Sequence, residues 1–149
     1  MRKIIILLIT LVLCLTSCTF SSKTYTWEFA QDISCVAEIK IIDATSEYSY
    51  SVIQDIDIEL ADELYNDIKS LEMKRYGTNL SKPYGLCFLV VFENGEYDIV
   101  ALKESKSYKY NEEYDKIMAA YNSWLLCCNQ EDFDALINKY LDSSDNSDG

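Results

Sequence analysis

No histidine occurs in these 149 residues. That removes the Ser-His and Cys-His nucleophile pairs, histidine metal sites and the usual general base near neutral pH. Glycine is scarce, at four, and Pro83 is the single proline. So few glycines build neither a G-x-G-x-x-G turn nor a P-loop, which excludes the common phosphate cradles. Positive charge is also thin, with 13 Lys and Arg against 25 Asp and Glu and a net charge of -12. Nucleic acid is excluded as a partner, because its binding rests on neutralising phosphates with lysine and arginine. Taken as a whole, the charge also repels an anionic bilayer and leaves simple solubility as its plainest role. What is abundant is apolar surface: 49% of the residues are hydrophobic, which is the composition of a chain that folds.

The first residues carry an address. Arg2 and Lys3 precede the apolar run 4–15, which ends in Leu15-Thr16-Ser17-Cys18. The run is shorter than the roughly 20 residues a helix needs to cross a bilayer, and its basic start and small-residue end are those of a cleavable signal. The tetrapeptide resembles the lipobox of bacterial lipoproteins. That resemblance implies a diacylglyceryl, palmitate-type modification of the Cys18 thiol, cleavage between Ser17 and Cys18, and an extracytoplasmic protein lipid-anchored to the bacterial membrane. Cys14 then leaves with the leader. The expected organisation is a signal peptide at 1–17, a lipidated tether at 18–23, one α+β domain at 24–141 and a mobile acidic tail at 142–149. The five residues after Cys18 reach at most about 18 Å, so the domain is held close to the bilayer.

Periodicity divides the mature chain. Segments 24–30 and 35–42 carry β-branched and aromatic residues around Asp32 and Ser34, and predict a hairpin. A third strand is expected at 47–54. Leu60, Ala61, Leu64, Tyr65, Ile68 and Leu71 recur at helical spacing, with Asp57 as N-cap and Lys69, Lys74 and Arg75 towards the C-terminal end. The apolar stretch 86–92 runs through Asn94-Gly95 into 97–102, and Asn-Gly suits a type I′ turn. This hairpin is expected at the centre of the sheet, with a further strand at 107–110. Residues 112–126 fit a helix face and a hairpin equally well. Asn129 caps a second helix at 129–141, whose apolar stripe includes Phe133, Leu136, Ile137 and Tyr140. The fold class is α+β, an antiparallel sheet with a central hairpin and about two helices packed on one face.

Few groups offer chemistry. Glu93, Glu96 and Asp98 flank the hairpin turn, and two placed carboxylates suffice for glycosidase-type catalysis, but carboxylates at a turn are ordinarily solvated. The tail 142–149 is rich in oxygen ligands yet lacks the closing glutamate and spacing of a calcium loop, so no metal or other cofactor is expected. Cys35, Cys87, Cys127 and Cys128 are candidates for disulfides, as an even count in an extracytoplasmic domain suggests. The competing reading is buried free thiols, favoured because Cys87 sits in an apolar strand and adjacent cysteines pair awkwardly. Twelve tyrosines form the last feature, and Tyr48, Tyr50, Tyr108 and Tyr110 mark the candidate binding face. β-propensity explains the same tyrosines without any partner.

The layout is similar to that of small α+β envelope lipoproteins of uncharacterised role. The resulting expectation is a non-catalytic binding or accessory module for a membrane-proximal envelope protein, attached through the lipid on Cys18. The alternatives are a receptor for a small or cationic solute and a carboxylate hydrolase of cell-wall sugars.

Overall fold

The computed structural model describes residues 24–45, 49–75, 82–120 and 126–142. The segments expected to be leader and tether, Tyr48 and residues 143–149 lie outside them. Among the described residues, eight strands form one antiparallel sheet: β1 (Val36–Ala44), β2 (Tyr50–Ile56), β3 (Lys74–Arg75), β4 (Gly85–Phe92), β5 (Tyr97–Ala101), β6 (Lys103–Asn111), β7 (Lys116–Ala119) and β8 (Leu126–Cys127). Their order is β2-β1-β4-β5-β6-β8-β3, with β7 paired to β6. The two helices are α1 (Ala61–Ser70) and α2 (Gln130–Asp142). The fold is α+β, with the β4–β5 hairpin inside the sheet.

Strand alternation sets the layers. Ile39 and Ile41 of β1, Phe88, Val90 and Phe92 of β4, and Val100 of β5 point to one face. There they meet Ala61, Leu64 and Ile68 of α1 and Phe133, Leu136, Ile137 and Tyr140 of α2, so both helices share that face. Phe88 is the junction, since its ring meets those of Phe133 and Tyr140 edge to face at 6.1 and 5.9 Å. The opposite face carries a smaller buried cluster of Ile42, Ala44, Cys87, Leu89, Ile99 and Ala101, flanked by Val91, Tyr97 and Tyr108.

Several local expectations need correction. The β4–β5 turn is not type I′. Only Gly95 has positive φ (82°), and its N–H donates to the Phe92 carbonyl, giving a three-residue loop closed by a left-handed glycine. Segment 24–30 does not pair with β1 as a hairpin; it forms an isolated bridge from Tyr25 to Met73. Asp57 caps a 3-10 turn at Ile58–Leu60 rather than α1 itself, accepting the Glu59 N–H. Lys74 and Arg75 are not the end of that helix. Leu71 turns the chain extended, and the two residues become β3. Within 112–126, β6 and β7 resolve the first part as a hairpin around a turn at 112–115, where Asp115 takes φ 49°. Residues 121–125 lie outside the described residues.

Candidate functional site

Three features on this frame bear on function: the segment that joins the domain to its N-terminus, the outer edge of β2, and a groove between the helices.

The joining segment is a strap. Tyr25 exchanges two backbone hydrogen bonds with Met73, at 2.8 and 3.0 Å. Trp27 enters the core and is 2% exposed. Phe29 stacks on Tyr65 of α1 with centroids 4.1 Å apart. The Ala30 N–H donates to Asp98 Oδ2 at 2.7 Å, and the Gln31 amide donates to Glu96 Oε2 at 2.5 Å. Glu96 also accepts the Tyr110 N–H at 2.8 Å.

Thus two of the three hairpin carboxylates are not solvated. Glu96 is buried and Asp98 is 0% exposed. Burial pushes the Asp98 carboxyl up to about 6, against the opposing pull of Ser107 across the strand pair, the Ala30 N–H, Lys109 and the Trp27 indole. Trp27 Nε1 and Asp98 Oδ1 have no partner in hydrogen-bonding geometry, so the indole aids the charge from a distance without closing a bond. Burial also opposes ionisation of Glu96, but the Tyr110 N–H, Gln31, Asn94 and Lys109 outweigh it and hold this carboxyl below its ordinary range. Glu93 is exposed. With no exposed surface, Asp98 holds the strap rather than meeting a substrate.

The second feature is β2. Its inner edge pairs with β1, its Gln54 amide donates to the Tyr140 carbonyl at 2.9 Å, and Ile56 is buried. Among the described residues nothing pairs with its outer edge. Tyr50, Val52 and Ile53 are 51%, 47% and 50% exposed there, and Ile58 follows at 48%. Ile53 is the extra residue of a bulge, opposite the step from Ile41 to Ile42.

Of the four candidate tyrosines, Tyr48 lies outside the described residues, and the other three are carried by β2 and β6. Tyr50 pairs with Ala44, and so it points to the face opposite the helices. Tyr108 points to that face too but is stacked on Tyr97, centroids 4.4 Å apart. Burial raises the Tyr97 phenol, and the Tyr50 phenol raises it further. Tyr110 is exposed and donates its hydroxyl to Asp115. Although β1 and β4 lie between their strands, the Tyr50 phenol acts on Tyr97, which links it to the stacked Tyr97–Tyr108 pair on the face away from the helices. Sequence reading missed Val52 and Ile53 because a β-branched pair reads as strand propensity; which edge stays open depends on pairings elsewhere.

The third feature is a groove of about 460 Å³ between the helices, lined by Asp67, Glu72, Asp132 and Lys139 among others. Lys139 bridges Glu63 at 2.7 Å and Asp67 at 2.6 Å, and Tyr140 donates its hydroxyl to Asp67 at 2.8 Å. These contacts raise the Lys139 pKa, the Asp67 hydrogen bond first. Among the described residues no three Cys, Asp or Glu side chains converge as a metal site.

Cys35, Cys87 and Cys128 are free thiols. Cys87 faces away from the helices, whereas Cys35 and Cys128 pack against the helix-side core. The Cys35 carbonyl takes the Glu93 N–H at the turn end of the central hairpin, and the Cys128 N–H goes to Leu102 at the other end. The length of β5 between them, roughly 14 Å, far exceeds disulfide reach. Burial pushes the Cys87 thiol up to about 12. Alkylation in intact cells should therefore spare Cys87 in the folded protein and label it on unfolding without reductant. Protection of Cys87 after unfolding would mean that it is bridged.

Comparison with protein-family models, curated proteins and solved structures finds no match.

Proposed function

We propose that this chain is an extracytoplasmic lipoprotein, held to the membrane through Cys18, whose domain is a non-catalytic module that binds a membrane-proximal envelope protein by strand addition at β2. The outer edge of β2, with which no described residue pairs, carries this reading. Unpaired N–H and C=O groups are a template for another strand, and proteins normally blunt such an edge with lysine, proline or a covering segment. Here the bulge at Ile53 and the charge of Asp55 are the only such devices within Tyr50–Ile56, which has neither lysine nor proline. Main-chain hydrogen bonds would supply affinity, and the half-exposed Tyr50 and Val52 side chains would supply selectivity on the face away from the helices. The short tether confines the partner to the neighbourhood of the bilayer.

The acidic groove supports a second reading, a receptor for a small cationic solute, because three carboxylates line it beside one already paired lysine. Hydrolysis of wall sugars is less well supported. It needs an accessible acid with a raised pKa, and Asp98, which has the raised pKa, is enclosed.

A photo-crosslinking residue at position 52, in the full chain in intact cells, should yield an adduct with one membrane protein. The same probe at the exposed Glu131 on α2 should not. Equal adducts from both positions, or none from position 52, would rule out strand addition. The anchor has its own test. Cys18→Ala should accumulate a precursor that keeps its leader and lacks acyl mass, and normal maturation of that variant would remove the lipid anchor.

A further inference from the structure

The charge of this acidic chain is unevenly placed. β3, β8 and β6 lie side by side, and Lys74, Cys127 and Lys103 occupy one row across them. Residues in one row share a face, so the two lysines stand two strand spacings apart, roughly 10 Å. Met73 and Leu102, their chain neighbours, pack with the helix-side core, which puts Lys74 and Lys103 on the outer side of the sheet. Lys106 pairs with Ile99 and projects to the same side. Burial lowers the Lys106 pKa first, and Lys82 lowers it further, which places a fourth lysine nearby. Glu104 offsets part of this charge. By contrast, Asp62, Glu63, Asp67, Glu131, Asp132 and Asp134 belong to the helices, on the other side of the sheet.

The strap fixes where the N-terminus leaves. The antiparallel bridge between Tyr25 and Met73 puts Thr24 beside Lys74, at the β3 end of the sheet. Only five residues separate Thr24 from Cys18. A lipid on Cys18 therefore enters the bilayer within about 20 Å of the lysine row. At physiological salt, charges are screened over about 8 Å, so the near lysines outweigh the helix carboxylates one layer behind them.

We propose that the lysine face formed by Lys74, Lys103 and Lys106 rests on anionic lipid headgroups and orients the tethered domain, with the acidic helices turned from the bilayer. This rests on lipidation at Cys18. It revises what net charge implies: the chain as a whole repels an anionic surface, while its tether-side face is attracted to one. Lipidation alone gives the domain no preferred orientation; the lysine face supplies it.

The test uses the native lipidated protein in vesicles of phosphatidylcholine alone or with phosphatidylglycerol, pulse-acetylated and read lysine by lysine by mass spectrometry. Anionic lipid should slow acetylation of Lys74 and Lys103 by about fivefold. High salt should reverse the effect, and Lys69 and Lys139 on the helices should not change. Equal rates in the two vesicle types, or equal slowing at Lys69 and Lys139, would overturn the proposal. So would the same protection from inorganic phosphate with phosphatidylcholine vesicles, which would make the face a site for free anions. The same spectra report the acyl mass on Cys18. Its absence would remove the anchor and this orientation with it, whereas a lipidated protein with unslowed Lys74 would remove the orientation alone.

Discussion

Replacing Trp27 with alanine should cost about 3 to 5 kcal/mol of folding stability, the range for truncating a buried large aromatic. The indole is 2% exposed and meets Phe29 edge to face, with centroids 6.5 Å apart, and Phe29 in turn stacks on Tyr65. Removal therefore empties a core position and loosens the first link of the strap. Domains of this size are stable by about 5 to 15 kcal/mol, so the loss is a large fraction of the whole. Urea unfolding of residues 18–149 measures it, as a lower midpoint at unchanged slope. A loss below about 1 kcal/mol would mean that 24–31 lies on the domain instead of belonging to it. Phe29→Ala should cost less, because its ring is only partly buried.

The helices and the central hairpin were legible because each announces its own period. Leu64 and Ile68 one turn apart, and Phe133, Leu136, Ile137 and Tyr140 along one stripe, predict the faces that enter the core. The strap was misread for a physical reason. Its aromatic residues carry strand propensity, but Ala30 is fixed by a carboxylate 68 positions away and Tyr25 by Met73. No local pattern contains those partners. β3 and β8 have two residues each, too few to show alternation at all.

The carboxylates are more instructive, because a signal was present. In Tyr97-Asp98-Ile99-Val100-Ala101 the single charged residue shares its face with Val100, which packs in the helix-side core. A lone aspartate at an inward position of an apolar strand implies a buried carboxylate with dedicated donors. Its closeness to the turn masked that inference. The lysine face could not be read in advance, since Lys74 and Lys103 become neighbours only through β8.

Asp98 supplies the second large effect, visible as a dependence of stability on pH. Its folded pKa of about 6 lies above the value near 3.8 of an unperturbed aspartate, so the folded chain binds this proton more tightly than the unfolded chain. Stability from this group is therefore fully present below about pH 4, declines as pH rises, and is lost above about pH 6. The difference amounts to about 3 kcal/mol. In Asp98→Asn the step is absent, because the side chain does not titrate, while its carbonyl oxygen can still take the Ala30 N–H. Other acids titrate in the same window, so the informative quantity is the stability of the variant minus that of the native chain, by urea unfolding at a series of pH values. That difference should rise by about 3 kcal/mol from pH 4 to pH 7. A flat difference would show that Asp98 is solvated and that the strap is held by Trp27 and the Tyr25 bridge without it. A rise would make the clasp weakest at neutral pH, where the ionised carboxylate must be kept by one backbone N–H at 2.7 Å and the influence of Ser107, Lys109 and Trp27.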